Sequence, residues 1–206
     1  MPRFIPGFTP PIVLDFSEDQ DVIDKMRSAW DENPIEYLVE KRNFWLNSGD
    51  LNHVYGPKSG ILLEKAKEFL TEHKFNFDPD AYHLEFHHTR VSKRELIESP
   101  FDWHIDDGSL MNCPVITIMF FVEKDPKMAG GNLFWNPTGK EQDEGKKLIN
   151  IKTGSVIIMP GDTAHCPEHV RHYMGRFIGR LPSQERRLIE FQFKDLRRQI
   201  VDDEGL

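Results

Sequence analysis

The sequence predicts a mainly β protein of the α+β class, in which N-terminal helices pack on one face of a double-stranded β-helix, or jelly roll. Helix-like apolar spacing is confined to residues 1–80, whereas short β-rich segments separated by turn residues fill residues 81–194. Many short strands with such turns are typical of a sandwich or barrel rather than of alternating strand–helix units. The 206 residues fit a single domain, with 195–206 as a C-terminal tail.

The N-terminal part contains one strand and two helices by its pattern. Ile12–Phe16 is a short apolar run that favours a strand. Ser17 and Gln20 have the spacing of a capping box, which predicts that the serine caps a first helix. The residues that this helix would bury are Val22, Ile23, Met26 and Trp30. A second helix is predicted over about Gly60–His73, and residues 35–57 have no clear pattern. Its apolar positions are Ile61, Leu62, Ala66, Phe69 and Leu70.

After Pro79 the apolar segments become short and rich in β-formers, with Pro, Gly, Asn and Asp between them. The predicted strands are Tyr82–Val91, Phe101–Asp106, Val115–Val122, Asn132–Trp135, Leu148–Ile151, Ser155–Met159, a stretch near Arg176–Ile178, and Arg187–Phe193. The sequence has no internal repeat and no low-complexity tract, so it predicts one β-core after the helices.

The charge and cysteine content exclude several functional classes. A formal net charge of -8, from 26 basic and 34 acidic residues, disfavours a general nucleic-acid binder. No apolar run has the length of a signal peptide or of a membrane span, which predicts a cytoplasmic protein without membrane contact. Cys113 and Cys166 are too few for a disulfide framework and are interpreted as free thiols in a reducing compartment.

The most specific chemical signal is the pair His104 and Asp106, followed by the turn Asp107-Gly108. Side chains two positions apart on a strand point to the same face, so the pair is expected to project together from a strand end. An imidazole and a carboxylate suit iron(II), and a second histidine would complete a facial triad with open positions for oxygen and a cosubstrate. An isolated His-x-Asp is common by chance, and a surface pair is the alternative.

The third ligand must come from a distant strand. Ser155–Met159 is an apolar strand, and Pro160-Gly161 then leads to His165, which places an imidazole at the end of a core strand. His169 and His172 are rival ligands, and both are also compatible with an exposed loop.

A final strand carries a candidate anion-binding residue. Alternation puts Arg187 on one face with Ile189, Phe191 and Phe193, an apolar face that is expected to line the interior. A buried arginine requires an anionic partner, which is either an internal acidic side chain or a carboxylate of a ligand such as 2-oxoglutarate.

In this order, the motifs resemble the iron(II)/2-oxoglutarate dioxygenase superfamily, and within it the prolyl-hydroxylase-like branch. The resemblance covers about residues 82–194, and its elements are His104-Ile-Asp106, Gly130-Gly-Asn-Leu133, the segment from Gly154 to His165, and Arg187. A valine five residues after the distal histidine matches Val170 and selects His165 over His169. An aromatic residue six positions beyond the basic residue matches Phe193 and selects Arg187 over Arg186.

The resemblance implies an oxygenase that uses Fe(II), O2 and 2-oxoglutarate, with His104, Asp106 and His165 on the metal and Arg187 on the distal carboxylate. His88 stands where relatives often have a cosubstrate-binding tyrosine. The stretch between His165 and Arg187 is longer than in many relatives, and its Arg176, Arg180 and His172 are candidate substrate residues. The expected substrate is a small molecule or an amino-acid side chain, which would most often be hydroxylated.

Three alternatives remain open at this point. One is a nucleic-acid demethylase of the same superfamily, which the acidic charge and the absence of a second arginine six residues after Arg187 disfavour. Another is a cupin-like isomerase or hydrolase that uses the metal as a Lewis acid. The last is a jelly-roll binding module without turnover. The sequence does not predict an oligomeric state.

Overall fold

The computed structural model describes residues 10–32, 41–46, 56–75, 82–92, 103–106, 115–128, 130–168 and 185–195. In 41–46 and 82–92, Leu84 excepted, the description is limited to the backbone. The elements in chain order are β1 (Ile12–Asp15), α1 (Gln20–Glu32), β2 (Lys41–Leu46), α2 (Pro57–Glu72), β3 (Tyr82–Ser92), β4 (Val115–Lys124), β5 (Leu133–Trp135), β6 (Lys147–Ile149), β7 (Ser155–Pro160), β8 (His165–Pro167) and β9 (Glu185–Asp195).

The strands form two antiparallel sheets. The larger sheet has the order β1-β7-β4-β9-β3-β2, and the smaller has the order β6-β5-β8. An isolated bridge between His104 and His165 adds the metal-motif segment to the edge of the smaller sheet. The predicted mainly β architecture, with two sheets and few helices among the described residues, is confirmed.

Two apolar cores separate three layers. The first core joins α1 and α2 to one face of the larger sheet, with Phe69, Phe120 and Phe191 at its centre. The Phe120 and Phe191 rings meet edge to face, with their centroids 5.9 Å apart. The second core lies between the sheets, where Met119, Phe121 and Leu188 of the larger sheet face residues of the smaller one. The members from the smaller sheet and the segment after it are Leu133, Trp135, Ile149 and Ile151. The larger sheet is therefore buried on both faces.

The N-terminal elements agree with the sequence in most respects. The residues that α1 was expected to bury are buried, and so are the α2 positions apart from Ile61, which is 51% exposed. The predicted capping box is wrong, because the helix begins at Gln20 and the Asp19 carboxylate accepts a hydrogen bond from the Val22 amide at 3.2 Å. Asp19 is thus the N-cap, and Ser17 lies in the preceding turn.

Among the strands, β4 and β9 extend past their predicted ends. Between 103 and 106 the structure has the single bridge at His104 in place of the predicted strand, and β2 lies in the stretch that had no clear pattern. The predicted strand near Arg176–Ile178 lies outside the described residues. Of the helices described, none is both long enough and apolar enough to span a membrane.

Candidate metal centre

Backbone pairing brings His104 and His165 together. The His104 amide donates to the His165 carbonyl at 3.0 Å, and the His165 amide donates back to the His104 carbonyl at 2.9 Å. Residues that exchange both hydrogen bonds lie directly opposite each other, so their side chains share a face. The two imidazole rings are 4.3 Å apart between centroids.

Asp106 is held in place by a close backbone approach at Gly161. The Asp106 amide donates to the Gly161 carbonyl at 2.6 Å, while the Gly161 amide donates to the Val115 carbonyl at 2.8 Å. A Cβ atom at Gly161 would lie 2.5 Å from the Val115 Cβ, so a larger residue would displace this turn. Gly161 is therefore needed both for the turn after β7 and for the position of Asp106.

The Asp106 carboxylate is oriented by β4. The Thr117 hydroxyl donates to Asp106 Oδ2 at 2.8 Å. The Asp106 side chain is 7% exposed, and Thr117 is fully buried on the face of β4 that carries Met119 and Phe121. This neutral donor fixes the carboxylate and leaves its charge uncompensated, which favours a cation next to it.

His165 has the tautomer that a metal ligand requires. Its ring is buried at 2% exposure, and Nδ1 lies 2.8 Å from the carbonyl oxygen of Thr163. A carbonyl can only accept, so Nδ1 donates this hydrogen bond and Nε2 is the ring nitrogen left to face a metal. Nε2 is the atom that faces Asp106 Oδ2, at 3.9 Å.

The three side chains converge on one small space. Ligand atoms of His104, Asp106 and His165 all lie within 4.8 Å of one another. His104 Nε2 is 3.8 Å from Asp106 Oδ1, so each imidazole faces a different carboxylate oxygen. These separations are too long for hydrogen bonds, and a cation bonded to each atom at about 2.0–2.2 Å would fill the space. His104 is 46% exposed, which keeps one side of the site open to ligands.

The structure shows which of the two cores the Arg187 face of β9 lines. Ile189, Phe191 and Phe193 belong to the core under the helices, so their face is directed away from the metal group. Arg187 is 32% exposed, forms an ion pair with Glu123 at 3.0 Å and lies over the Trp30 ring of α1. The predicted alternation and the burial of this face are confirmed, and the interior that it lines is the core under the helices.

Arg186 occupies the opposite face of β9, together with Leu188 of the core between the sheets. It is 4% exposed, and burial lowers the pKa of its guanidinium to about 10. Nη1 donates to the Gly131 carbonyl at 3.0 Å, and Nε has no hydrogen-bond partner in the part of the chain that is described. The sequence analysis weighed Arg186 and selected Arg187, because the position six residues after Arg186 is the polar Gln192.

Register places Arg186 on the same face of β9 as a residue opposite Thr117. Gln192, six residues along the same face, pairs with Thr117, whose hydroxyl holds Asp106. Of the other candidates, His88 lies in β3 with its backbone paired to Ile189, and its side chain is outside the description. The candidate substrate residues Arg176, Arg180 and His172 also lie outside the described residues, as do the rival ligand His169 and Cys113. Cys166 is a free, buried thiol.

Comparison with known proteins shows similarity of fold at low sequence identity. The sequence matches no family model and no curated protein. Solved structures with a similar fold include a prolyl 4-hydroxylase from Phytophthora capsici, with a TM-score of 0.59, 16% identity and coverage of 95% of this chain and 62% of that one. This chain therefore spans less than two thirds of that enzyme.

Two further structures cover both chains more evenly. HygX from Streptomyces hygroscopicus, with nickel and 2-oxoglutarate bound, has a TM-score of 0.58 at 12% identity, over 96% of this chain and 90% of that one. The viral collagen prolyl hydroxylase of Paramecium Bursaria Chlorella virus-1, in complex with 2-oxoglutarate, has a TM-score of 0.55 at 14% identity, over 92% and 98%. The resemblance stated from the sequence is confirmed at the level of fold.

Proposed function

We propose that this chain, whose fold is that of known 2-oxoglutarate oxygenases, is itself an iron(II)- and 2-oxoglutarate-dependent oxygenase. In this proposal the two sheets form a double-stranded β-helix, and the metal lies at one end of the space between them. The observation that carries the proposal is the convergence of His104, Asp106 and His165 within 4.8 Å, supported by Thr117 and by the Thr163 carbonyl.

The donor set fits iron(II). Two neutral imidazoles and one carboxylate on one side of an ion leave its other positions open, as in non-haem iron oxygenases. A structural zinc site would use a closed set of four ligands. The partial exposure of His104 is consistent with open positions that face solvent or a ligand.

Arg186 supports 2-oxoglutarate as the cosubstrate and replaces Arg187 in that role. A buried guanidinium needs an anion, and its Nε has no hydrogen-bond partner in the described part of the chain. A carboxylate binds a guanidinium through two parallel hydrogen bonds, which fits the distal end of a dicarboxylate. The proximal keto-acid end would then face the metal group along β9.

The roles of the protein groups follow from these contacts. Thr117 and Thr163 orient two of the ligands, and the apolar residues between the sheets exclude water from the space that they line. Arg186 orients the cosubstrate from the far end, which fixes the position of its keto-acid end. When bound, iron and 2-oxoglutarate would make O2 usable as the oxidant: one oxygen atom would go into succinate, with release of CO2, and the other into an unactivated C–H bond of the substrate.

We further propose that the reaction is a hydroxylation of a small molecule or of an amino-acid side chain. Arg176, Arg180 and His172 remain candidate substrate residues in this proposal. The single-domain division and the cytoplasmic location also remain predictions.

The first test is a visible absorption spectrum of the protein loaded with iron(II) without oxygen. Addition of 2-oxoglutarate is expected to produce a weak metal-to-ligand charge-transfer band, because the keto acid chelates an iron with open positions. The band should be lost in His104→Ala and Asp106→Ala. A control variant is His73→Ala, which removes an imidazole at the end of α2, away from the metal group.

Absence of the band from protein that demonstrably holds iron would overturn the cosubstrate assignment. A cupin-like isomerase or hydrolase, or a binding module without turnover, would then explain the site better. If the band is present, succinate release in the presence of candidate small molecules and peptides identifies the substrate class.

A further inference from the structure

A β-bulge in β4 changes which residue lies opposite Arg186. From Val115 to Phe121, β4 pairs with β9 in regular register, and Phe121 lies opposite Leu188. The register then shifts by one residue, so that Glu123 pairs with Arg187 and Lys124 pairs with Arg186. Without this extra residue, Glu123 would lie opposite Arg186. Bulges of this kind often redirect a side chain next to a functional site.

The bulge therefore removes an acidic side chain from the interior face and replaces it with a basic one. The Glu123 carboxylate forms its ion pair with Arg187 on the helix-facing side, at 3.0 Å. Lys124 takes the position across from Arg186, and two like charges directly opposite each other in a sheet destabilise it. Burial, and then the charge of Arg186, lower the pKa of Lys124.

Lys124 and Arg186 both donate hydrogen bonds to the short segment before β5. Lys124 Nζ donates to Asn132 Oδ1 at 2.6 Å and to the Ile151 carbonyl at 2.9 Å. Arg186 Nη1 donates to the carbonyl of Gly131, the residue adjacent to Asn132. Because an ammonium group has three donors, these two bonds leave Lys124 one more.

A carboxylate among the described residues acts on the charge of Lys124. Glu168 accepts a hydrogen bond from Asn132 Nδ2 at 2.6 Å, and its charge acts to raise the pKa of Lys124. Arg186 is buried and Lys124 is partly buried, so these two cations beside Glu168 leave an excess positive charge in a place that is only partly open to solvent. Such a place is costly without a ligand and favours an anion.

We propose that Lys124 is a second cation for the distal carboxylate of 2-oxoglutarate, turned inward by the β4 bulge to act beside Arg186. This inference rests on the proposed function and deepens it. It assigns to the bulge the role of keeping the Glu123 carboxylate away from the space beside Arg186. The competing explanation is a structural one, in which Lys124 only ties β4 to the segment of Asn132 and balances Glu168.

The experiment compares two keto acids on the intact protein loaded with iron(II) without oxygen. Dissociation constants are measured from the visible band for 2-oxoglutarate and for 2-oxobutyrate, which keeps the keto acid but lacks the distal carboxylate. Lys124→Gln is expected to weaken 2-oxoglutarate binding by about tenfold or more, the effect of losing one charge-assisted hydrogen bond. Its affinity for 2-oxobutyrate is expected to stay unchanged.

Three further variants keep the test interpretable. Lys124→Arg retains the charge and should bind 2-oxoglutarate nearly as well as the wild type. Lys124→Glu puts a carboxylate opposite Arg186 and should weaken binding more than Lys124→Gln. Lys127→Glu makes the same charge change on an exposed lysine just beyond β4, and should leave both dissociation constants unchanged.

Each result assigns the failure to one proposal. A wild-type protein that holds iron but gives no band overturns the proposed function itself. A wild-type band together with equal effects of Lys124→Gln on both keto acids, or with no effect on either, refutes the role of Lys124 and leaves the oxygenase proposal standing. A loss of affinity for 2-oxoglutarate but not for 2-oxobutyrate supports the role of Lys124. Circular dichroism of each variant checks the fold.

Discussion

Replacement of Thr117 by valine tests how the fold prepares the metal ligand. The change removes the hydroxyl that donates to Asp106 Oδ2 at 2.8 Å and keeps nearly the same shape in a fully buried position. A hydrogen bond to a charged group contributes about 1.5–3 kcal/mol. At about 1.4 kcal/mol per factor of ten, iron(II) should bind roughly 10–100-fold more weakly, the range expected for a residue that supports a metal ligand.

The assay is a competition between the protein and a chelator of known affinity, under anaerobic conditions. Thr117→Ser retains the hydroxyl and should restore most of the affinity. Thr71→Val is the matched control, since it removes a hydroxyl that donates to the Lys67 carbonyl on α2, across the larger sheet from the second core. Unchanged iron affinity in Thr117→Val, alongside a loss in Asp106→Ala, would refute the claim that Thr117 orients the carboxylate.

The remaining predictions concern β9, the first helix and the buried thiol. Arg186→Met should weaken 2-oxoglutarate binding by about 100-fold or more, since truncation of a buried charge partner costs about 2–5 kcal/mol. Arg187→Met should leave the dissociation constant for 2-oxoglutarate unchanged. It should lower the free energy of unfolding by about 1 kcal/mol or less, because the ion pair of Arg187 with Glu123 is partly exposed. Equal effects of the two variants would contradict the assignment of the β9 faces. Asp19→Ala should lower the free energy of unfolding in urea by about 1 kcal/mol, and Ser17→Ala by clearly less, because Asp19 is the N-cap of α1. A larger effect of Ser17→Ala than of Asp19→Ala would show instead that Ser17 caps the helix. Burial raises the pKa of Cys166 to about 11, so native Cys113→Ser protein should react slowly with iodoacetamide at neutral pH and rapidly in denaturant. Because the pKa of Cys166 is higher in the folded state, its neutral thiol contributes stability that is fully present below the unfolded pKa of about 8.5 and is lost as the pH rises towards the folded pKa. Urea unfolding midpoints measured against pH, for this protein and for its Cys166→Ser derivative, would detect this loss.

Local patterns were sufficient for the metal ligands. His104 and Asp106 are two residues apart, and His165 follows a core strand and a Pro-Gly turn, so short-range geometry placed all three at strand ends. The structure brings these three side chains together. The same local information predicted α1 and α2 well, because an amphipathic helix buries one face whatever it packs against.

The capping residue shows the limit of such local reasoning. Ser17 and Gln20 have the spacing of a capping box, yet the chain makes one more turn after β1 before the helix starts. The Asp19 amide donates to the Phe16 carbonyl in that turn, and the Asp19 side chain then caps the helix. The first residue of a helix depends on where the preceding strand ends, and the end of β1 is set by its pairing with β7.

The sequence by itself predicted helices before a β-core and the candidate metal group of His104, Asp106 and His165, which the structure brings together. The tertiary structure alone decided which arginine lies on the face of β9 that is directed towards the smaller sheet. Alternation separates the two faces of β9, but the larger sheet has helices on one face and the smaller sheet on the other, so apolar residues occur on both. Arg186 lies on the metal side and Lys124 faces it because of the layer order and a one-residue bulge, and both arise from contacts between segments far apart in the chain.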